Sequence, residues 1–510
     1  MSFARVPKIM AFTLLYLVVG GYRFGTGDHV SQLPTVLHFF DPNLYQTDFP
    51  MQMIFPWYVK SGLFIALSWI SHLLNMPMEY LFFLTYLIVL FLYLAWMDEL
   101  MAIVGINKEF RELGLLLLLP YSYLYQSVSH FHLVTLRLVP YFFVLPFCIK
   151  TTTLFIEKRY FLASLFCALI FLIHQQIGLI IFGTVIFSQL VQALEGQVEK
   201  KAILFLALPF LMLFVVHFFV MQLFGQYRGY PWFDLKWGKE LLEMVRFRVP
   251  HHLLLSYSGF VEWAFFGLAA FFATFVLLKV EGDRRVSKPL TYMAVAILMA
   301  SLAGFIFTEI VPLPLAFALY LFRSDVLLRI IGFVSFILFL NVFLPHKRIG
   351  NVVLLLFLIT AASGAVATCL NKNIRVFTPR TELTQMSSCI KAKTPLSAFI
   401  LASPSLKGLR LYSERSVFVS WKSHGLFFPP EIARKWFRRM KLLCNMEEKI
   451  PCKGTECKRL CGQNYNALST KRLLLIAKEY GTDYLLCSKD RELDFDRICE
   501  TRNLVFYKLK

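Results

Sequence analysis

Long apolar runs alternate with short polar breaks from the N-terminus to about residue 370. A first run covers residues 7–22, and eleven more lie near 60–75, 79–104, 113–127, 133–150, 160–174, 177–194, 201–224, 256–279, 290–310, 326–344 and 351–370. An α-helix of about 20 apolar residues spans a bilayer, so each of these runs predicts a membrane helix. We therefore predict a polytopic α-helical membrane protein with 11–13 transmembrane helices.

The polar breaks predict the topology. Four short breaks are rich in Lys and Arg, and such loops favour the cytoplasmic side; they are 157–159, 195–201, 281–288 and 346–348. Basic residues also precede the first run, which predicts a cytoplasmic N-terminus. Loops 23–58 and 225–255 are then extracytoplasmic, and so is everything after residue 371. Opposite ends require an odd number of spans, so one of the twelve runs is not a simple crossing, or a half-helix over 312–322 adds one.

Residues 372–510 have the composition of a soluble domain, whereas residues 1–371 form the membrane part. Their apolar patterns alternate between the two periodicities, which is typical of a small α/β domain. We predict strands at 398–402, 416–420, 483–487 and 504–508, and helices at 431–443 and 470–480.

Composition supports a membrane location. The hydrophobic fraction is 57%, and Phe alone contributes 53 residues, which is more apolar surface than a soluble chain covers. The net charge is +20, and residues 372–510 hold 27 Lys and Arg against 13 Asp and Glu. A basic surface beside a membrane favours anionic headgroups or phosphates as partners. Because this segment is predicted outside the cytoplasm, we exclude nucleic acid.

Seven of the ten cysteines lie after residue 371, and four of them fall in an insert of loop character over 444–461. In an oxidising compartment we expect disulfides among Cys444, Cys452, Cys457 and Cys461. A zinc site is the alternative, but the spacing lacks close cysteine pairs and the insert contains no His. The odd count leaves at least one thiol free or paired with another chain.

The first outer loop carries the strongest candidate for chemistry, the pair Asp28-His29, and a further acid, Asp48. A carboxylate just outside the membrane can act as a general base on an acceptor hydroxyl or help to hold a divalent metal. The alternatives are structural, because Asp28 or Ser31 could cap the following helix and Asp48 could be a turn residue.

Charged residues within or beside apolar runs need a reason, because a charge inside a bilayer is costly. Arg137 and Arg323 are suited to bind a phosphate through paired donors, and snorkelling or an internal ion pair is the alternative for both. His174 interrupts a long run, and we favour a histidine satisfied by its neighbours there.

The second outer loop, residues 225–255, carries Arg246, Arg248, His251 and His252 together with aromatic residues. These side chains could bind a sugar phosphate or a lipid headgroup. An interfacial aromatic belt with basic anchors is the alternative. No pair of these histidines has the helical spacing of a zinc motif, so we predict no metal site here.

Several short motifs resemble the GT-C superfamily of membrane glycosyltransferases, and more closely a group of uncharacterised bacterial membrane proteins of that type. The matching residues are Gly27-Asp28-His29, Asp41-Pro42, Asp48, Arg137, His174, Pro250-His251-His252, Leu321-Phe322-Arg323-Ser324, Thr394-Pro395, Leu409 to Arg415 and Trp421-Lys422-Ser423. The resemblance implies a polyprenyl-phosphate sugar donor and an acidic residue of the first outer loop near the acceptor, which is Asp28 here. Many members carry paired acids where this chain has Asp28-His29, which leaves metal dependence and catalysis open.

The leading hypothesis is a GT-C-like glycosyltransferase that transfers a sugar from a polyprenyl-phosphate donor to a glycan, lipid or protein acceptor. Asp28, His29 and Asp48 are the catalytic candidates, and the phosphate-binding candidates are Arg137, His174, Arg246, Arg248, His251, His252 and Arg323. A non-catalytic protein of envelope or polysaccharide assembly and a transporter are the alternatives. We expect a multi-pass protein of a bacterial inner membrane, with a eukaryotic ER membrane as the other option.

Overall fold

A computed structural model describes residues 5–52, 59–123, 127–224, 230–279, 284–345, 349–371, 374–378, 380–422 and 430–509. The break at 346–348 and the stretch 225–229 of the second outer loop lie outside these residues. The helices are α1 (Val6–Gly20), α2 (His29–Phe40), α3 (Phe49–Gln52), α4 (Val59–Leu73), α5 (Met78–Ile103), α6 (Lys108–Tyr123), α7 (Pro140–Ile156), α8 (Tyr160–Ile173), α9 (Gln175–Leu194), α10 (Lys200–Phe224), α11 (Leu235–Arg248), α12 (Pro250–Leu253), α13 (Phe260–Phe271), α14 (Leu277–Lys279), α15 (Arg284–Phe305), α16 (Pro314–Leu319), α17 (Asp325–Phe343), α18 (Ile349–Asn371), α19 (Glu382–Lys393), α20 (Leu409–Ser413), α21 (Pro430–Leu443), α22 (Thr455–Ala467) and α23 (Thr470–Tyr480).

The long apolar helices make this an integral membrane protein. Among the described residues, seven helical stretches are long and apolar enough to cross a membrane: Met78–Ile103, Gln175–Leu194, Lys200–Val220, Phe260–Lys279, Arg285–Ile310, Pro314–Phe343 and Ile349–Val366. Four shorter apolar helices accompany them, namely Val6–Gly20, Gly62–Leu73, Pro140–Ile156 and Tyr160–Ile173. The predicted total of 11–13 spans and the orientation of the ends stay predictions.

The chain folds into two compact units that do not follow the linear division at residue 371. Unit 1 comprises Met1–Arg23, Pro77–Val220 and His251–Val376. Unit 2 comprises Phe24–Met76, Met221–Pro250 and Phe377–Lys510. Segments 24–76 and 221–250 thus belong to the same compact unit as the C-terminal part of the chain.

Unit 1 is helical apart from one short parallel ladder, β1 (Tyr22–Arg23) with β2 (Ile374–Arg375). The ladder joins the residues that follow α1 to those that follow α18. Two π-helical stretches, Phe272–Val276 and Ile306–Ile310, interrupt the apolar helices near their middle or end. Helix α16 ends at Tyr320, which has a φ of 51°, and a 3₁₀ turn then leads into α17. A short helix thus lies within the range 312–322, and whether it adds a crossing stays a prediction.

Unit 2 contains a five-stranded mixed sheet in the order β4-β3-β5-β7-β6. The strands are β3 (Phe399–Ala402), β4 (Ser416–Val417), β5 (Tyr484–Ser488), β6 (Asp496–Glu500) and β7 (Leu504–Lys508). β3 pairs in parallel with β4 and β5, whereas β7 runs antiparallel to β5 and β6. Its core is apolar, as the alternating patterns predict, and includes Ile400, Leu486 and Phe506, all fully buried.

The cysteine-rich insert differs from the predicted loop, because α22 begins at Thr455 inside it. Cys457 and Cys461 are four residues apart and both are buried, since this spacing places them on one helix face. The structure pairs Cys444 with Cys461, Cys452 with Cys457 and Cys389 with Cys499, and Cys487 remains a buried thiol. The Cys444–Cys461 and Cys452–Cys457 disulfides connect α22 to the segment that follows α21.

Candidate functional site

Asp28 is the accessible one of the two catalytic acid candidates, Asp28 and Asp48. It precedes α2 and makes no capping hydrogen bond to that helix. Its carboxylate forms an ion pair with Lys422, with 2.5 Å between Asp28 Oδ1 and Lys422 Nζ. The Asp28 side chain is 46% exposed. An ionised carboxylate that solvent can reach is available to accept a proton from a bound hydroxyl.

His29, the neighbour of Asp28, is fully buried in unit 2. Its ring packs edge-on against Phe24 and Phe64, and its Nδ1 accepts a hydrogen bond from the Gly25 amide at 3.1 Å. Gly25 has a φ of 69°, and a Cβ there would lie 3.0 Å from Thr378 Oγ1. The turn therefore requires glycine, and the buried histidine holds it.

Asp48 is also fully buried, and it forms an ion pair with Arg410. The distance from its Oδ2 to Arg410 Nε is 2.6 Å, and the same oxygen accepts the Val417 amide at 3.2 Å. The carboxylate thus joins the first outer loop to α20 and β4 within unit 2. These contacts are those of a structural ion pair.

Arg246 and Arg248 lie near the end of α11 in unit 2. The Arg246 carbonyl accepts the Gly454 amide, which fixes the start of α22, while its side chain is exposed. The Arg248 guanidinium lies 5.2 Å from the centroid of the Trp436 ring. The helix itself is anchored by Phe247, whose ring contacts Trp421, Trp436 and Phe437.

In unit 1, two charged residues of α17 hold the segment between α6 and α7. Asp325 is buried and accepts the hydroxyls of Ser127 and Ser129 at 2.9 and 2.6 Å. Arg329 lies one turn further along α17, is fully buried, and donates to the Phe131 carbonyl at 2.7 Å. We call residues 127–139 the α6–α7 segment. Because charge-assisted hydrogen bonds are strong, this segment is fixed to a membrane helix.

Arginine and histidine side chains surround the Phe131 ring of the α6–α7 segment. The Arg323 guanidinium lies 4.9 Å from its centroid, and the His252 ring stacks on it at 4.5 Å. Arg323 Nη1 lies 3.0 Å from His174 Nε2 and also contacts the Gln176 side-chain oxygen. His251 packs against His252 at 4.0 Å between ring centroids.

His130 adjoins this cluster, because its ring centroid lies 5.9 Å from that of His251. Four of the predicted phosphate-binding residues, His174, His251, His252 and Arg323, are therefore brought together in unit 1. Arg323 and His174 are 149 residues apart in the sequence, and His252 is 123 residues from Ser129 of the α6–α7 segment, so only the folded chain gathers them.

Arg137 lies in the α6–α7 segment and not inside a helix. α7 begins at Pro140, and Val139 has extended backbone, as expected before a proline. The predicted run at 133–150 therefore starts as a helix later than its hydropathy indicates. Arg137 Nε is buried and makes no hydrogen bond within the described part of the chain.

A cavity of about 580 Å³ opens beside Arg137. Its walls are mostly apolar and come from the end of α1, the second half of α6 and the middle of α18. Four polar side chains line it, namely His132, Thr135, Arg137 and Thr360. The volume is within the ordinary range of small-molecule sites, and the combination of an apolar wall and one guanidinium suits an amphiphile with an anionic head.

Burial makes His130 and His132 poor cations. Burial away from water lowers the pKa of both His130 and His132. For His132, the nearby positive charges of Arg329 and Arg137 lower the pKa further. Both rings therefore favour the neutral form at neutral pH. Arg137 is the side chain at the cavity that stays positively charged.

A second cavity, of about 390 Å³, lies between α9, α15 and the turn after α16. Apart from Gln176 and Thr184 its lining is apolar. Because Gln176 also contacts Arg323, this groove ends beside the arginine–histidine cluster. It resembles the first cavity in having an apolar wall near a guanidinium.

The sequence analysis did not predict Asp325 and Arg329, the two residues that hold the α6–α7 segment. Asp325 and Arg329 have the i, i+4 spacing of one helix face, a signal that could have revealed them. Within the described ranges, no three His, Cys, Asp or Glu side chains converge to hold a metal ion.

Comparisons with known proteins give partial likenesses. A family described as a domain of unknown function, DUF6798, matches residues 381–443. No curated protein matches the chain. Among solved structures, the chain is similar to the archaeal oligosaccharyltransferase AglB from Archaeoglobus fulgidus, in complex with an inhibitory peptide and a dolichol-phosphate. The identity is 10% and the TM-score 0.46, over 95% of this chain and 69% of that chain. A likeness of this size assigns no activity, so we argue function from the site residues.

Proposed function

We propose that this protein is a membrane glycosyltransferase that transfers a sugar from a polyprenyl-phosphate donor to an extracytoplasmic acceptor. The observation that carries the proposal is the apolar cavity of unit 1 with Arg137 at its polar side. An isoprenoid chain fits an apolar wall, and a guanidinium binds a phosphate through paired hydrogen bonds.

Arg137 is suited to the phosphate for a further reason. Its Nε is buried without a hydrogen bond in the described part of the chain, and no described acid forms an ion pair with it. A buried charged donor without an acceptor is costly, and a bound phosphate would remove that cost. In the transfer, the bond between the anomeric carbon and the phosphate oxygen breaks, and Arg137 would stabilise the negative charge of the leaving polyprenyl phosphate.

Asp28 is the residue we assign to the acceptor. When the acceptor oxygen bonds to the anomeric carbon it loses a proton to a base, and Asp28 is the candidate base that unit 2 offers, argued separately from Arg137 in unit 1. Of the two acids named as catalytic candidates, Asp28 is the accessible carboxylate, whereas Asp48 is buried against Arg410. This role concerns proton transfer only and requires no metal.

The test measures lipid binding and sugar transfer separately. Full-length protein in nanodiscs is titrated with a photoreactive polyprenyl phosphate, and crosslinked peptides are identified by mass spectrometry. We expect crosslinks to α1, α6 and α18, and an affinity about tenfold weaker in Arg137→Gln, because one charge-assisted contact is lost. Arg159→Gln, an exposed arginine of the same unit, is the control.

Transfer is measured with radiolabelled polyprenyl-phosphate sugars in membranes. Product formed by the wild type and lost in Arg137→Gln supports the proposal. Crosslinking without any product would instead favour the non-catalytic alternative, a protein that binds lipid phosphates during envelope assembly. Crosslinks that fall only on the second cavity, and disappear in Arg323→Gln, would move the donor site away from Arg137.

A further inference from the structure

Three lysines from three separate segments of unit 2 meet beside Asp28. Lys458 lies in the first half of α22, Lys407 precedes α20, and Lys422 follows the strand β4 and Trp421. The Lys407 and Lys422 charges both act on the Lys458 amine, so the three side chains lie near one another. Lys422 also reaches Asp28 at 2.5 Å.

The backbone holds α22 against the loop that carries Lys407. A Cβ at Gly462 would lie 2.9 Å from Ser405 Oγ, so the helix and this loop are in close contact. The start of α22 is fixed by the Gly454 amide, which donates to the Arg246 carbonyl, and Cys461 is bonded to Cys444. Lys458 is therefore held close to Lys407 by several contacts that do not involve its own side chain.

The third lysine is positioned by a backbone hydrogen bond. The Trp421 amide donates to the Pro404 carbonyl at 2.9 Å, which brings Lys422 beside the same loop. The Trp421 ring is buried against Phe247, so this segment has a fixed position. The loop 404–407, which carries Lys407, thus lies beside the segments that carry Lys422 and Lys458.

The charges of this cluster do not balance. Three ammonium groups face one carboxylate, that of Asp28, and among the described residues neither Lys407 nor Lys458 forms an ion pair with an acid. Burial, and after it the Lys407 and Lys422 charges, lowers the pKa of Lys458 to about 7. Like charges held together repel one another, and an anion between them would remove this repulsion.

We propose that Lys407, Lys422 and Lys458 form a binding site for a phosphate monoester on unit 2. A phosphate monoester carries a charge between about −1.5 and −2 near neutral pH, and it would favour the protonated form of Lys458, so that three ammonium groups and one carboxylate match its charge. Its three terminal oxygens accept a hydrogen bond from each lysine. The site is distinct from the donor site proposed above, because it does not involve Arg137 or its cavity, although Lys422 also pairs with Asp28.

The phosphate can come from a soluble compound or from a lipid headgroup, and two arms of one experiment distinguish these sources. Full-length protein in phosphatidylcholine nanodiscs receives glycerol 3-phosphate, whereas a second sample is prepared in nanodiscs that contain phosphatidic acid. Lysines are labelled briefly at pH 7.5 with an amine-reactive reagent and quantified by mass spectrometry. Only neutral amines react, so a bound phosphate slows the labelling of Lys458 by charge and by shielding.

We expect at least fivefold slower labelling of Lys458 in one arm or both, and no change at Lys471, an exposed lysine of α23. Protection by glycerol 3-phosphate identifies a soluble ligand, and protection confined to phosphatidic acid identifies a lipid. The proposal is overturned when neither arm slows the labelling of Lys458.

Variants test whether the lysines act by charge. Binding to the variants is followed by the labelling of Lys422, which all of them retain, and Lys407→Gln/Lys458→Gln should bind the protecting ligand at least about tenfold more weakly, because two charge-assisted hydrogen bonds are lost. Lys407→Arg/Lys458→Arg keeps both charges and should retain binding, and Lys471→Gln is the matched control. Wild-type affinity in the double Gln variant would refute the site. None of these results depends on transfer activity or on lipid binding at Arg137, so the two proposals fail separately.

Discussion

Asp48 and Arg410 lie 362 residues apart in the sequence and form a buried ion pair at 2.6 Å. The pair connects the first outer loop to the C-terminal part of the chain inside one compact unit. Its Asp48 oxygen also binds the Val417 amide, so the contact includes the edge of the sheet. A residue of the first outer loop is therefore part of the core of unit 2.

Asp48→Asn should destabilise unit 2 strongly. Removal of one partner leaves the Arg410 charge buried without compensation, which costs roughly 3–5 kcal/mol. Thermal unfolding of the purified protein, followed by circular dichroism, measures the loss. Asp41→Asn, a partly exposed acid of the same loop, should change stability by no more than about 0.5 kcal/mol. Equal unfolding temperatures for both variants would contradict the structural role.

Asp28→Asn should abolish transfer without unfolding the protein. Its ion pair with Lys422 is partly exposed, and such pairs contribute little to stability. General-base catalysis accounts for a factor of about 10²–10⁴ in rate, so the initial rate of sugar transfer should fall by this factor. Unchanged product formation in the variant would remove Asp28 from the reaction and leave Arg137 unaffected.

Asp325→Ala should loosen the α6–α7 segment. The change removes the acceptor of the Ser127 and Ser129 hydroxyls, and each charge-assisted bond is worth about 1.5–3 kcal/mol. Hydrogen exchange of residues 127–139 should become at least about tenfold faster. Ser335→Ala is the control, because this buried serine of α17 bonds only within its own helix, to the Ile331 carbonyl.

Stability should rise with pH above neutrality because of Lys458. Its pKa is lowered from 10.5 to about 7 in the folded chain. Between these values the unfolded chain binds a proton that the folded chain does not, so the free energy of unfolding increases with pH. Lys407 and Lys422 are the charged groups that act on this amine, and Lys422 itself pairs with Asp28. Lys458→Gln should flatten the pH dependence of the unfolding temperature between pH 7 and 10, whereas Lys471→Gln should leave it unchanged.

The disulfides should contribute unequally to stability. Cys389–Cys499 closes a loop of 110 residues and Cys452–Cys457 a loop of 5. By chain entropy the long loop contributes about 5 kcal/mol and the short one about 2 kcal/mol. Cys389→Ala/Cys499→Ala should therefore lower the unfolding temperature more than Cys452→Ala/Cys457→Ala does. The reverse order would show that strain or residual structure outweighs loop entropy here.

The sequence by itself determined the membrane character, most helix positions and much of the sheet. Apolar runs and their breaks predict these elements because hydropathy and periodicity act locally; the strand at 504–508 and the helix at 470–480 agree with β7 and α23 at both ends. The run at 133–150 was a poorer guide, since Pro140 and not hydropathy sets the start of α7. The helix in the cysteine-rich insert was missed because its residues are polar.

Only the tertiary structure decided which of the polar residues act together. Asp28, His29 and Asp48 look alike as neighbours in one loop, yet one is accessible beside lysines and two are buried among core contacts. The difference depends on residues several hundred positions away, such as Arg410 and Lys422, and no local pattern contains that information. The same holds for Arg137, whose role depends on a cavity built by three helices that are distant in sequence.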